Sequence, residues 1–264
     1  MAGSLANPRA KLARAYEHLQ TLDREAAEFF ATEPYEIVLE CDLKARKQVA
    51  RVKVRNSPDD DARVRRLGCI LGDVVANTRN ALDSLTHELA RFNGAPDTNK
   101  VTFPVWARET EASASEVKKA LGKLTCAHRT AILNAQPYNA GDDFRKHYIC
   151  LLAWLVNRDK HRVVHATLGY LTSYPPRFVR FEDTTGRPVP TPSGARLARP
   201  PKRLCHRAEL ASAPATANVV MRVQGDPTCD IAFGSESVRA SAIVGIYERV
   251  QRFVETFALD FGEQ

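Results

Sequence analysis

The stretch SPDDDARVRRLGCILGDVVANTRNALDSLTHELARFNG, residues 57–94, predicts one long α-helix that decides the fold. Ser57 is a preferred capping residue, Pro58 suits the first helical position, and the aspartates that follow face the positive end of the helix dipole. Asn93-Gly94 predicts the end of the helix. The predicted buried stripe recurs at helical spacing and comprises Leu67, Leu71, Val74, Thr78, Leu82, Leu85, Leu89 and Phe92. At 1.5 Å per residue, about 35 residues span roughly 50 Å, so such a helix must pack along a bundle or across a subunit interface.

The rest of the chain predicts shorter helices and strands around this helix. Helices are predicted at 7–31, 113–123, 126–135, 144–162 and 236–261, and strands at 35–43, 47–55, 163–171, 177–182, 218–224 and 229–234. Because strands and helices do not alternate, the order argues against a doubly wound parallel sheet. We predict a single α+β domain over 1–264, mainly a helical bundle with a long central helix and a small antiparallel sheet.

Residues 183–217 differ in composition from the rest of the chain. Six prolines lie in this range among arginines and lysines, with few large apolar residues. Such a segment buries little apolar surface and is typical of surface loops. We therefore predict a flexible basic Pro-rich loop at 183–217.

The overall composition is that of a globular protein, with 44% hydrophobic and 26% charged residues among 264. The net charge of +7 permits RNA or another nucleic acid as a partner without requiring one. The longest apolar run, Cys150–Val156, is too short to span a bilayer, and residues 1–30 contain no secretory signal, so we expect a cytoplasmic protein without membrane association. The six cysteines form no CxxC pair, and we expect free, mostly buried thiols and no metal or cofactor.

A row of polar residues runs along the long helix beside its apolar stripe. Arg79, Asp83 and His87 are four residues apart, which places them about 40° from one another around the helix. Asp83 can accept hydrogen bonds from both neighbours. Two interpretations stay open: a surface network of small energetic value, or a polar cluster at the edge of a groove or dimer interface. In the second, the arginine binds phosphate and the histidine transfers protons.

A second concentration of polar residues, NRDKHR at 157–162, follows the apolar run of the 144–162 helix. Lys160, His161 and Arg162 can complement the negative end of the helix dipole. Alternatively, Asp159 and His161 lie beside the long helix and complete a composite site with Arg79. A metal site built from His147, His161 and His165 is a further alternative, although no carboxylate pattern accompanies it.

The predicted hairpin at 35–55 carries one basic face. Arg51, Lys53 and Arg55 alternate with apolar residues along its second strand, so their side chains share a side of the sheet. We predict that these residues, together with Lys160 and Arg162, contact nucleic-acid phosphates. The motifs GxGxxG, GxxxxGK[ST] and GxSxG are missing from the sequence, which argues against dinucleotide, P-loop and nucleophile-elbow chemistry.

Four segments in order resemble a group of uncharacterised actinobacterial proteins: GDVVANTRNALDSLTHELA (72–90), TFPVW (102–106), ILNAQPY (132–138) and LLAWLVNRDKHR (151–162). More distantly, the asparagine-and-arginine helix is similar to HEPN domains, helical bundles that often dimerise and act as metal-independent RNases in toxin and defence systems. Their signature is an arginine followed four to six residues later by a histidine. Asn77 and Arg79 match its beginning, but Ser84 stands five residues after Arg79, so His87 or His161 would have to substitute.

The resemblance implies a HEPN-like RNase. Arg79 would hold the scissile phosphate, His87 or His161 would act as acid or base, and Asp83 or Asp159 would orient the imidazole. The alternative is a non-enzymatic module that forms homo-oligomers through the long helix and binds nucleic acid or a protein partner. A third interpretation, a small-molecule site near Trp106, Tyr138 and Trp154, also stays open.

Overall fold

The computed structural model divides the chain into two compact units. It describes residues 3–42, 44–55, 62–96, 101–161, 166–171, 179–197, 206–216, 218–223, 229–233 and 238–262. The first unit, here the helical unit, comprises Met1–Asp23, Cys69–Val164 and Ser241–Gln264. The second, here the sheet unit, comprises Arg24–Gly68 and His165–Ala240. The α+β class is confirmed, and the strands of the sheet unit build a core of their own. That the chain forms a single domain stays a prediction.

All six predicted helices are found. They are α1 (Ala6–Phe30), α2 (Ala62–Phe92), α3 (Ala114–Leu121), α4 (Cys126–Asn134), α5 (Tyr148–His161) and α6 (Ala240–Glu255), with 3-10 segments at Glu109–Glu111, Pro137–Lys146 and Ala258–Phe261. The capping residues Ser113 and Thr125 accept hydrogen bonds from the main chain of the first turns of α3 and α4. The predicted start of the long helix, Ser57-Pro58, lies outside the described residues.

The helical unit is a bundle of α1, α2, α5 and α6. The predicted stripe of α2 is buried within it from Leu71 to Leu89, while Phe92 at its end is 42% exposed. Rings of Tyr16 and Tyr247 stack 6.1 Å apart between α1 and α6. The backbone of α2 at Gly72 lies so close to Asp159 of α5 that a side chain there would collide with its carboxylate.

The sheet unit contains three small antiparallel sheets among the described residues. Its strands are β1 (Tyr35–Asp42), β2 (Lys47–Val54), β3 (Ala166–Leu171), β4 (Val179–Glu182), β5 (Pro188–Val189), β6 (Arg196–Leu197), β7 (Glu209–Pro214), β8 (Val220–Val223), β9 (Cys229–Phe233) and β10 (Val238–Arg239). The sheet orders are β1-β2-β7-β6, β10-β9-β3 and β5-β4-β8. The predicted hairpin is β1 and β2, in register from Tyr35 opposite Val54 to Asp42 opposite Lys47.

The predicted loop at 183–217 contains ordered strand structure. Strand β7 pairs with β2, and its residues Leu210, Ala211 and Ala213 are buried in the core of the sheet unit with Phe181 and Met221. The sequence ELASAP did not predict this strand, because its small residues have weak β propensity and are buried only through pairing with another strand. Residues 198–205, which carry part of the predicted basic Pro-rich loop, lie outside the described residues.

Two further expectations concern the membrane and the thiols. None of the helices described is both long enough and apolar enough to cross a bilayer. Four described cysteines are free thiols, but Cys41, Cys69 and Cys126 are exposed, so the expectation of mostly buried thiols is wrong for them. Cys69 shows the reason, because it lies two residues from both Leu67 and Leu71 and therefore on the side of α2 opposite the buried stripe.

Candidate functional site

The pair Arg79–Asp83 forms as the helical spacing predicts. Arg79 donates from Nη2 to Asp83 Oδ1 at 3.0 Å and from Nε to Oδ2 at 3.4 Å. The two side chains are 18% and 28% exposed, so the pair is more shielded than an ordinary surface ion pair. It therefore belongs to the architecture of the bundle rather than to a solvated helix face.

The same pair holds the segment TFPVW (102–106), which belongs to no sheet among the described residues. Its main-chain hydrogen bonds go to Asp83 and Arg79 at Phe103 and to Gln136 at Pro104 and Trp106, an alternation typical of an extended chain, and we call it the extended segment. Asp83 Oδ1 accepts a hydrogen bond from the main-chain N–H of Phe103 at 2.9 Å, and Arg79 Nη2 donates to the Phe103 carbonyl. The guanidinium carbon also lies 5.9 Å from the centre of the Phe103 ring. Together the two side chains satisfy both main-chain groups of a buried residue, as a neighbouring strand would.

Gln136 holds the other edge of this segment, a role that the sequence analysis missed. Its Nε2 donates to the carbonyls of Pro104 and Ile132, each at 3.1 Å, and its Oε1 accepts from the N–H of Trp106 at 2.9 Å. The side chain is fully buried. A glutamine at the end of a helix before a proline carries no sequence signal for such a role, because its partners lie about 30 residues away.

A groove of about 490 Å³ opens between α2, the extended segment and α5. Its lining residues are Ala76, Arg79, Asn80, Asp83, Thr102, Val105, Ala153, Val156 and Asn157. Five of these nine residues are polar or charged, and the other four are alanines and valines. The groove therefore offers several polar groups to a ligand beside a limited apolar surface.

Several hydrogen-bonding groups in this groove are unused. In the described part of the chain, neither Arg79 Nη1 nor the carboxamides of Asn80 and Asn157 make a hydrogen bond. The same is true of the main-chain N–H and C=O of Val105. Asn80 and Asn157 are exposed, so these groups are available to a ligand.

His87 does not join the groove. Its Nδ1 lies 3.9 Å from Oε1 of Glu88, and the residue is not among those that line the groove. Glu88 is itself buried and accepts hydrogen bonds from the main chain of Ser4 and from the side chain of Asn7. Arg79 and Asp83 therefore pair as predicted, but His87 does not join them. It lies beside Glu88, whose carboxylate binds Ser4 and Asn7 near the start of the chain.

Asp159 faces a different part of α2 than the composite site requires. It packs against Gly72, about two turns before Arg79. Burial, and then the charge of Asp73, raises the pKa of its carboxyl. Among the α5 residues that line the groove with Arg79, Asn157 is the polar one. The side chains of Lys160 and His161, and the whole of Arg162, lie outside the described residues, so their predicted roles stay predictions.

The basic face of the hairpin is neutralised by glutamates of the same unit. Lys53 Nζ lies 2.7 Å from Glu36, and hydrogen bonds from Lys53 and then Arg55 lower the pKa of that carboxyl. Arg51 lies 3.2 Å from Glu40, and Arg55 lies 3.3 Å from Glu36. To bind nucleic acid, these cations would have to exchange their carboxylate partners for phosphates. That exchange reduces the free energy gained when a nucleic acid binds there.

A second groove of about 570 Å³ lies in the sheet unit. It is lined chiefly by charged residues from the last turns of α1 and the first turns of α2, which belong to this unit. Its central contact is a double hydrogen bond from Arg66 to Glu25, at 2.7 and 2.8 Å. That contact is the first cause of a lowered pKa at Glu25. Arg63 lies over the Phe29 ring at 5.2 Å. The main polar pair of this groove is therefore already satisfied internally.

Neither of the two grooves is lined by Trp106, Tyr138 or Trp154, so the predicted aromatic site stays a prediction. Trp106 is buried beside Gln136, Tyr138 donates from its hydroxyl to the Leu133 carbonyl at 3.3 Å, and Arg158 stacks 5.2 Å from the Trp154 ring.

Among the described residues, no three metal-ligating side chains cluster. The side chain of His161 and the whole of His165 lie outside the described residues, so the alternative of a histidine metal site stays a prediction.

Comparison of the chain with family models, curated proteins and solved structures finds no significant match. The resemblance to HEPN domains therefore stays a prediction, and function has to be argued from the groove itself.

Proposed function

We propose that this protein is a non-enzymatic binding module for a protein partner, and that the groove beside Arg79 is the binding site. The supporting observation is that Arg79, Asn80, Val105 and Asn157 line one groove and carry hydrogen-bonding groups that no described residue uses. These groups bind and orient a ligand, and Arg79, Asn80 and Asn157 are held on the helices α2 and α5.

The groove is poorly equipped for RNA cleavage. Metal-independent cleavage needs a group that takes a proton from the 2′-hydroxyl and another that protonates the leaving oxygen. No histidine lines the groove among the described residues, and both oxygens of Asp83 already accept hydrogen bonds from Arg79 or Phe103. A guanidinium and two carboxamides bind ligands but do not exchange protons near neutral pH.

Charge also favours a protein partner over a nucleic acid. Nucleic-acid sites gain most of their affinity by pairing many phosphates with lysines and arginines. The groove offers one cation, Arg79, which already shares its charge with Asp83. Self-association through α2 stays a prediction, and the burial of its stripe from Leu71 to Leu89 leaves little apolar surface for it.

The test is selection of random peptides on the purified full chain, followed by binding measurements with a variant that fills the groove. Ala153 lies in the groove wall, so Ala153→Trp should abolish binding of the selected peptides. The matched control is Ala10→Trp, at an exposed position of α1. Peptides that bind all three proteins equally would remove the groove as the site. Cleavage of a labelled RNA in EDTA that is lost in Arg79→Lys would establish the nuclease instead.

A further inference from the structure

The extended segment at the groove exposes one of its main-chain edges. In an extended chain, the N–H and C=O groups of residues two apart lie on the same edge. Phe103 uses its N–H on Asp83 and its C=O on Arg79. The C=O of Pro104 and the N–H of Trp106 bind Gln136 instead, so these groups lie on the opposite edge. Val105 therefore presents its unused N–H and C=O on the α2 edge, where it lines the groove.

At two places in this molecule, a glutamine carboxamide makes main-chain hydrogen bonds that a neighbouring strand would otherwise make. Gln136 accepts from Trp106 N–H and donates to Pro104 C=O. In the sheet unit, Gln48 accepts from Met221 N–H at 2.9 Å and donates to Val219 C=O at 2.6 Å. Both glutamines grip the carbonyl of one residue and the N–H of the residue two further on. This pattern fits a carboxamide to the edge of any extended peptide.

We propose that the groove binds an extended peptide segment that pairs through its main chain with Val105 and places a carboxylate on Arg79. The carboxamides of Asn80 and Asn157 grip that peptide as the two glutamines grip the protein's own chain. The inference rests on the proposed function, and names the chemistry of the partner. A strand added in this way obtains affinity from its main chain and specificity from its side chains.

The carboxylate follows from the donor that Arg79 leaves unused. After binding Asp83 and Phe103, Arg79 has one nitrogen with no acceptor in the described part of the chain. The charge of Asp83 already balances that of the guanidinium, so the preference for a carboxylate comes from this hydrogen bond, since an ionised acceptor gives a stronger and shorter bond than a neutral one. Ala76 and Ala153, two small residues of the lining, leave room for a backbone to approach closely.

The experiment uses acetylated tetrapeptides as probes, synthesised as a positional library in two forms, with a free C-terminal carboxylate or a C-terminal carboxamide. Affinities for the full chain are measured by fluorescence polarisation. The best binders should contain a carboxylate, at the C terminus or on Asp or Glu, and its conversion to the amide should weaken binding roughly 10- to 100-fold. N-methylation of each peptide nitrogen in turn should cost about tenfold or more at one or two positions, where the strand pairing is made.

Charge variants of the protein supply a matched control. Asn157→Asp removes one donor that holds the peptide and places a negative charge beside the ligand carboxylate, so it should weaken both peptides, and the carboxylate peptide by about tenfold or more beyond the carboxamide peptide. Asn157 is exposed, so the variant should fold, and thermal melting checks this.

The outcomes separate the two proposals. Suppose that peptide binding is lost in Ala153→Trp but changes neither on N-methylation at any position nor on loss of the carboxylate. That result overturns the strand-pairing inference and leaves the proposed function standing. If no peptide binds in a way that Ala153→Trp abolishes, both proposals fail. Binding of adenosine monophosphate or oligoadenylate in the groove, without peptide binding, assigns the site to nucleotides instead. The peptide modifications act on the unaltered protein, so they decide the question even if a variant misfolds.

Discussion

At the scale of single residues, Asp83 is more important for structure than for chemistry. It joins Arg79 to the N–H of Phe103, which is buried. Asp83→Ala should lower the free energy of unfolding by about 1–3 kcal/mol, because it leaves a buried main-chain donor and a shielded guanidinium without their acceptor. Urea denaturation measures this, with Asp23→Ala at an exposed position of α1 as the control. Equal stability of the two variants would mean that the Phe103 contact contributes nothing.

Asp159 gives a pH-dependent prediction at the same scale. Burial raises the pKa of Asp159 in the folded state, so the folded state holds the proton more tightly than the unfolded state does. The free energy of unfolding should therefore fall as the pH rises from the ordinary aspartate pKa to the higher pKa of the folded state. Asp159→Asn removes the buried charge and should raise stability at pH 7 by less than about 1 kcal/mol, with the difference from wild type shrinking toward pH 3. Thermal melts between pH 3 and 7 test this. A variant less stable at pH 7 than at pH 3, relative to wild type, would contradict it.

The residue scale also shows how far sequence reasoning reaches into the site. Helical spacing predicted the Arg79–Asp83 contact, because both residues lie on one helix and the geometry is local. It could not predict that Phe103 is their common partner, since that residue lies about 20 positions away. It also placed His87 in the same row, whereas the structure places it beside Glu88, its own neighbour in sequence.

At the scale of elements, the extended segment TFPVW is held by side chains instead of by neighbouring strands. Gln136 supplies one edge of this support and is fully buried. Gln136→Leu keeps the approximate volume but leaves the N–H of Trp106 and the carbonyl of Pro104 without partners, which should cost about 2–4 kcal/mol of unfolding free energy. The control is Gln251→Leu, at an exposed position of α6. Denaturation of both variants in urea measures the difference, and a cost as small as the control's would show that the segment does not depend on Gln136.

The elements themselves were largely predictable, with one instructive exception. Helix spacing and the alternation of the hairpin are strong local patterns, and both were confirmed. Strand β7 was missed because its burial depends on pairing with β2, about 160 residues earlier, and no local pattern encodes that pairing. The same dependence explains the two units, because the core of the sheet unit forms only when β2, β4, β7 and β8 meet.

At the scale of the whole molecule, net charge is a poor guide to the surface. The chain carries +7, yet the described hairpin balances its cations with Glu36 and Glu40. Affinity for a polyanion depends on the cations that are free to pair with it rather than on the total charge. The hairpin should therefore contribute little to polyanion binding as it stands, and removing its glutamates should reveal the cations.

The double variant Glu36→Gln/Glu40→Gln tests this expectation directly. It should elute from heparin at clearly higher salt than Glu109→Gln/Glu248→Gln, which makes the same change in net charge at exposed glutamates of the helical unit. The reason is that Arg51, Lys53 and Arg55 lose their nearest carboxylates only in the first variant. Arg51 keeps Glu209 at 3.8 Å, and Arg55 keeps Glu33 at 3.5 Å, so Lys53 is released most fully. Identical elution of the two double variants would show that total charge governs polyanion binding after all. In that case the three cations would again be available to phosphate, and the charge argument for a protein partner would lose its support.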